Sequence, residues 1–207
     1  MTETHLGLLR HGQTDWNNDL RLQGSSDIPL NETGIRQAEL AANYLNASDW
    51  DLVLSSPLSR AHDTAKTVAA ELGLNLVIVP ELIERSFGVA EGMSHSEWRT
   101  LYESHADIPG IESLEDLHFR SEALLRLIAT EYDGQRILAV SHGALIRTLM
   151  KIISDGRYPL DGDRLGNVSL NRFTFSDGIW SVSDYNPASL SDLTKELLAE
   201  HQLRNPS

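Results

Sequence analysis

The order of apolar and amphipathic segments predicts an α/β fold: a three-layer sandwich in which a mostly parallel central sheet lies between helices on both faces. Short apolar runs without polar alternation read as strands covered on both sides, and helical periods separate them. Strand, helix, strand, helix in that order calls for a parallel sheet with right-handed crossovers. A third observation concerns where polar residues fall. Arg10-His11-Gly12 and Ser141-His142-Gly143 each follow an apolar run, where a strand hands over to a loop.

The strands are read over Thr4 to Leu9, Leu52 to Leu54, Leu74 to Val79 and Ile137 to Val140. Ala38, Ala41, Ala42 and Leu45 repeat at helical spacing, with Asn31 or Thr33 as an N-cap. Ala61, Ala65, Val68, Ala69 and Leu72 form a second helix that Gly73 ends. A third runs from about Ser113 to Tyr132, and His142 opens a fourth carrying Leu145, Ile146, Leu149 and Ile153. Val168 to Phe175 and Ile179 to Tyr185 alternate around the turn Ser176-Asp177-Gly178, which predicts an edge hairpin. An amphipathic helix is expected over Leu190 to Leu203. Met93 to Gly110 reads as a short helix and loop over the sheet, and Val89 to Glu115 as a lid that sets specificity.

Composition bounds what the chain can be. With 207 residues, 41% of them hydrophobic, and no Pro/Gly/Ser-rich linker, residues 1–207 are expected to form one domain. No run approaches the roughly 18 apolar residues of a membrane span. The opening Met1-Thr2-Glu3-Thr4-His5 lacks a basic and apolar leader, so a cytoplasmic protein is expected. The absence of cysteine removes disulfides and thiolate chemistry. A net charge of −13 argues against nucleic acid as a partner, because phosphate backbones are held by clustered Lys and Arg.

In doubly wound sheets ligands sit beyond the carboxyl ends of the strands. There the chain offers Arg10 and His11, then Arg60 in Ser55-Ser56-Pro57-Leu58-Ser59-Arg60, then Glu84 and Arg85, then His142. Phosphoryl transfer needs a cationic cradle, an in-line nucleophile and a proton for the leaving oxygen. Arg10 and Arg60 are forked donors that match a phosphate. A histidine kept neutral by neighbouring cations can attack phosphorus, and a carboxylic acid can protonate the leaving group. Glu81 and Glu91 stand near Glu84 and compete with it for that last role. This scheme requires no metal and no cofactor. The remaining histidines, His95 and His105 among them, have no metal-ligand spacing and are expected to be solvated or packed.

Leu9 to Asn17, Gln23-Gly24 to Gly34, Ser55 to Ala61, Glu84 to Gly88 with Glu91-Gly92, and Val140 to Gly143 together resemble the histidine phosphatase superfamily, in its phosphoglycerate-mutase-like branch. The resemblance implies that His11 becomes a phosphohistidine and that Arg10, Arg60 and His142 hold the phosphoryl group. It implies that Glu84 is the proton donor that later activates water. Asn17, Gln23, Gly24, Arg85 and the amide of Gly143 are implied as further phosphate or substrate contacts. Gln13 departs from the pattern, since many relatives carry glutamate there. The reaction expected is hydrolysis of a small phosphomonoester, with a phosphoglycerate mutase as runner-up and a non-catalytic phospho-ligand module behind it. Hydrolysis is preferred because Met93 to Leu117 offers only Arg99 against Glu97, Glu103, Asp107, Glu112, Glu115 and Asp116, a poor field for retaining a bisphosphate.

Overall fold

A computed structural model of the chain describes residues 2–190. Strands β1 (Thr4–Arg10), β2 (Leu52–Ser55), β3 (Leu76–Ile78), β4 (Arg136–Ser141), β5 (Leu170–Ser176) and β6 (Ile179–Asp184) form one sheet in the order β3-β2-β4-β1-β5-β6. β1 to β4 run parallel, and the β5–β6 hairpin adds antiparallel to β1. This is the expected three-layer α/β architecture with an edge hairpin.

The strands alternate between two cores, which is why their sequences look continuously apolar. Leu6, Leu8, Leu54, Ile137 and Ala139 pack with helices α5 (Leu114–Glu131) and α6 (Gly143–Ile153). Leu9, Val53, Leu138 and Val140 face α2 (Glu32–Tyr44) and α3 (Ser59–Leu72) on the other side. Asn31 caps α2, its side chain accepting from the Gly34 amide at 2.9 Å, and Ser113 caps α5 through the Asp116 amide at 2.9 Å. Two short helices, α1 (Asp15–Asn18) and α4 (His95–Leu101), lie in the connections over the strand ends. α4 belongs to a third, small core of Leu22, Ala90, Trp98 and Ile108.

β3 departs from the expectation. It is shorter than Leu74 to Val79 and lies at the sheet edge, where Val77 and Ile78 remain 39% and 52% exposed. Its apolar residues implied two covered faces, but an edge strand has a neighbour on one side only. The helix expected over 190–203 lies, beyond its first residue, outside the described residues. Among the described residues no helix is long and apolar enough to cross a membrane.

Candidate active site

Sheet register assembles the site. β1 and β4 are neighbours with Arg10 opposite Ser141, so His11 and His142 leave the sheet side by side. Their rings stand 5.1 Å apart, tilted at 56°. α3 starts just after β2 and carries Arg60 in its first turn, while Glu84 follows the turn that closes β3.

His11 is buried, and its Nδ1 lies 2.6 Å from the carbonyl oxygen of Gly12. A carbonyl only accepts, so Nδ1 carries the proton and Nε2 keeps its lone pair. Burial, with Arg60 and Arg10 beside it, holds the imidazole well below its ordinary pKa. Burial also depresses His142, and the neighbouring His11, Arg60 and Arg10 add to it. Both rings are therefore neutral at pH 7. The cations are themselves strained toward neutrality by burial, Arg10 down to about 10.

Main-chain carbonyls aim the two arginines. Arg60, fully buried, donates through Nη2 to Gly24 at 2.7 Å and through Nη1 to Ser26 at 2.8 Å. Arg10 Nη1 donates to the Leu165 carbonyl at 2.5 Å. The Nε atoms of both arginines and Nδ1 of His142 are buried with no hydrogen-bond partner among the described residues. Three such nitrogens around one histidine are costly in a folded protein and mark a place prepared for an acceptor.

Arg10, His11, Asn17, Gln23, Gly24, Arg60 and Glu84 line one cleft of about 130 Å³, together with Arg21, Leu22 and Phe87. The chain matches the histidine phosphatase superfamily (branch 1) over residues 6–187. It belongs to that family. Among curated proteins, "Uncharacterized phosphatase PhoE" of Bacillus subtilis is 39% identical over 88% of this chain and 94% of its own length. "Probable phosphoglycerate mutase GpmB" of Yersinia pestis is 35% identical over 89% of this chain and 91% of its own. Among solved structures, mycobacterial glucosyl-3-phosphoglycerate phosphatase Rv2419c in complex with VO3 superposes with a TM-score of 0.76 at 30% identity, covering 89% and 99% of the two chains. The chain is in class a phosphoric monoester hydrolase.

Glu84 is the acidic side chain among those that line the cleft. Its Oε1 accepts from the amides of Arg85, Ala144 and Leu145 at 2.9 to 3.2 Å, and Oε2 accepts from Ala144 at 3.1 Å. The competitors have other places. Glu81 is exposed and does not line the cleft. Glu91 accepts from the amides of Ser25, Ser26 and Phe87 and from both serine hydroxyls, pinning the 24–26 loop that aims Arg60. Gly24 in that loop has φ +56°, and a Cβ there would stand 2.1 Å from Glu91 Oε1. Only glycine fits.

The structure moves some expected residues. Arg85 and Gly143 line a second, adjoining cavity of about 540 Å³, which shares Arg10, Leu22 and Phe87 with the cleft. His95 and His105, set aside as solvated or packed, line that cavity too. Gly12 follows His11 at the end of β1. Its constraint is packing, since a Cβ would stand 2.5 Å from the Gly34 carbonyl of α2. Gln13 ties the same loop to α2, its Oε1 accepting from Asn31 and its amide donating to Gln37. The sequence assigns no role to several supporting residues: Ser56, within the Ser55 to Ala61 motif, against His142, Thr64 accepting from the Gly12 amide at 3.0 Å, and Asn167 donating to the His11 carbonyl at 2.9 Å.

Proposed function

We propose that the protein hydrolyses small phosphomonoesters through a covalent phosphohistidine on His11, without a metal ion. One observation carries this reading: an imidazole whose Nδ1 is committed to a carbonyl and whose Nε2 is free lies among three buried nitrogens that lack acceptors. Such a group has the tautomer of a nucleophile and the surroundings of an anion site. Arg10, Arg60 and His142 hold the phosphoryl oxygens in this reading, with Asn17, Gln23 and Gly24 at the rim and Arg85 and Gly143 on the leaving-group side.

The chemistry balances in two steps. The Nε2 lone pair of His11 attacks phosphorus, the bond to the ester oxygen breaks, and the departing oxygen takes a proton from Glu84. Oε2 is the atom suited to carry that proton, because it accepts only the shared Ala144 amide while Oε1 accepts three. Water then gives a proton back to Glu84 as its oxygen attacks phosphorus. The N–P bond breaks, its electron pair returns to Nε2, and inorganic phosphate leaves.

Guanidinium groups supply the positive charge that a metal supplies elsewhere. A structural relative solved in complex with VO3 supports a phosphate-like oxyanion as the occupant in this reading. The reading takes residues 1–207 as one catalytic domain working in the cytoplasm on a soluble phosphorylated metabolite. Hydrolysis of p-nitrophenyl phosphate that persists in EDTA and is inhibited by micromolar vanadate is expected. Loss in EDTA with recovery on adding a divalent metal overturns the metal-free scheme.

A phosphoglycerate mutase is the second reading, and one observation favours it. The expected shortage of cations around the leaving group holds for 93–117 alone. Arg85, Arg147 and Arg164 reach the adjoining cavity from other parts of the chain.

A further inference from the structure

We infer that Arg120, on α5, is a positioning residue for the acid: it fixes the main chain that presents Glu84 to the leaving oxygen. This role rests on the phosphatase reading above and adds to it a pair of residues that do not touch the substrate. Arg120 and its partner Glu112 line neither the cleft nor the adjoining cavity.

Glu84 lies within residues 83–86, which belong to no helix or strand, so no ladder of main-chain bonds sets its place. Its carboxylate takes up the free amides of Ala144 and Leu145 at the start of α6, but those bonds hold only the tip of the side chain. Side chains from distant elements hold the backbone. Arg120 Nη1 donates to the carbonyls of Ile83 at 3.0 Å and Glu81 at 3.3 Å. The buried hydroxyl of Ser141, at the end of β4, donates to that of Leu82 at 2.8 Å. Beyond Glu84, the Glu112 amide donates to the Ser86 carbonyl at 3.0 Å, and the Glu112 carbonyl accepts from Arg85 Nε at 2.9 Å.

The grips before and after Glu84 form one device. Arg120 takes the Glu112 carboxylate bidentately, Nε to Oε1 at 2.5 Å and Nη2 to Oε2 at 3.0 Å, in a pair only 23% and 17% exposed. A guanidinium is planar, so docking two of its nitrogens on the carboxylate fixes where the third points, and here it points at the two carbonyls. Arg120 thus holds the chain one residue before Glu84, while Glu112 holds it one and two residues after. Glu112 also belongs to the 89–115 segment, so the cover of the site and its acid share this anchor. A general acid works only within hydrogen-bond reach of the oxygen it protonates, and slack in this frame costs proton donation before it costs phosphate binding.

Leaving-group dependence tests this. Arg120→Met is expected to lower kcat for an alkyl ester, glycerol 3-phosphate, by about 10- to 100-fold, and for p-nitrophenyl phosphate by less than about threefold, since a phenolate departs without a proton. A packing role alone would lower the melting temperature and both activities alike. Arg120→Lys keeps the charge but has one nitrogen, which cannot span the carboxylate and the carbonyls, and the same selective loss is expected of it. A protein carrying both Arg120→Met and Glu84→Gln should lose no more on the alkyl ester than Glu84→Gln does, because the arginine acts through that carboxylate. Where Glu84→Gln is itself selective, equal losses on the two esters in both Arg120 variants, a wild-type alkyl rate in Arg120→Lys, or additive losses in the double variant overturn the positioning role. Amide hydrogen exchange separates this outcome from the fate of the phosphatase reading, because it needs no turnover. Protection of the Ala144 and Leu145 amides is expected to fall about tenfold in Arg120→Lys, as one hydrogen bond is worth about that factor, while protection of Leu8 on β1 stays. Unchanged protection overturns the role even where Glu84 proves to be the acid. Lost protection, with a Glu84→Gln effect equal on both esters, keeps the role and sinks the proton-donor mechanism.

Discussion

His142 Nε2 lies 2.7 Å from the hydroxyl oxygen of Ser56, and both residues are buried. The two protons of this pair are linked. When the serine donates to Nε2, the imidazole carries its proton on Nδ1, the nitrogen that has no partner among the described residues. Ser56 thus selects the tautomer in which His142 can donate to a phosphoryl oxygen. Replacing Ser56 with alanine is expected to cost about 1–3 kcal/mol of stability, by leaving a buried nitrogen unpaired, and to lower kcat as the wrong tautomer becomes populated. Urea unfolding and steady-state kinetics on one preparation check both effects. An unchanged kcat removes the tautomer role.

His11 is expected to carry the covalent intermediate. A reaction quenched in base, where a phosphoramidate survives, should place phosphate on the peptide containing His11. Turnover in His11→Ala should fall by several orders of magnitude, in the range of about 10³ or more seen when a nucleophile is removed. Phosphate found on another peptide, or substantial activity in the variant, moves the nucleophile elsewhere.

Most of the frame was legible because its signals are local. Apolar runs located β1, β2 and β4, the caps Asn31 and Ser113 lay where polar residues precede helical periods, and strand ends carried Arg10, His11, Arg60, Glu84 and His142 together. What stayed illegible depends on contacts between distant segments. Ser56, Thr64 and Asn167 are ordinary polar residues whose importance appears only when the loops meet. Arg147 sits one turn beyond His142 on α6, and Arg164 in a connection with no pattern of its own. For Arg147 alone, its helical offset from the end of β4 was an available hint. Glu91 looked like a possible acid because spacing cannot tell a carboxylate facing substrate from one tied to amides.

Stability should fall on acidification. The folded-state pKa values of His11 and His142 lie below the unfolded value of about 6.5, so the unfolded state binds more protons below that pH. Their contribution is fully present above about pH 6.5 and is lost as pH falls from there toward the folded values. The urea midpoint is expected to drop between about pH 7.5 and pH 5.5, with about 1 kcal/mol per histidine at stake. His142→Asn, which cannot titrate, should show a shallower dependence than wild type. Equal slopes for the two proteins remove the linkage.

Glu84 and Glu91 should separate in kinetics. Glu84→Gln is expected to slow alkyl phosphates by about 10² to 10⁴ and aryl phosphates much less, since a phenolate leaves without a proton. Glu91→Gln should instead loosen the loop that aims Arg60, raising KM and lowering the melting temperature similarly for both ester types. A Glu84→Gln loss that is equal for alkyl and aryl esters shows that its carboxylate serves to cap α6 and not to donate a proton.

The choice between hydrolysis and isomerisation turns on water, and no longer on the charge of 93–117. A mutase must keep a bisphosphate bound while it turns and returns a phosphoryl group to a second oxygen, with water excluded from the phosphohistidine throughout. Arg85, Arg147 and Arg164 bring positive charge to the adjoining cavity. Enclosure is weaker. The cover between Glu84 and α5 consists of α4, two short turns and a core of four residues, and Arg21, His95 and Arg164 on the walls of the two cavities are exposed to solvent. An open wall lets the bisphosphate leave and water reach phosphorus before re-donation. With 3-phosphoglycerate as substrate and 2,3-bisphosphoglycerate as primer, free phosphate is therefore expected to exceed 2-phosphoglycerate. More 2-phosphoglycerate than phosphate makes the protein a mutase, and assigns the arginine-lined cavity to holding the bisphosphate through its reorientation.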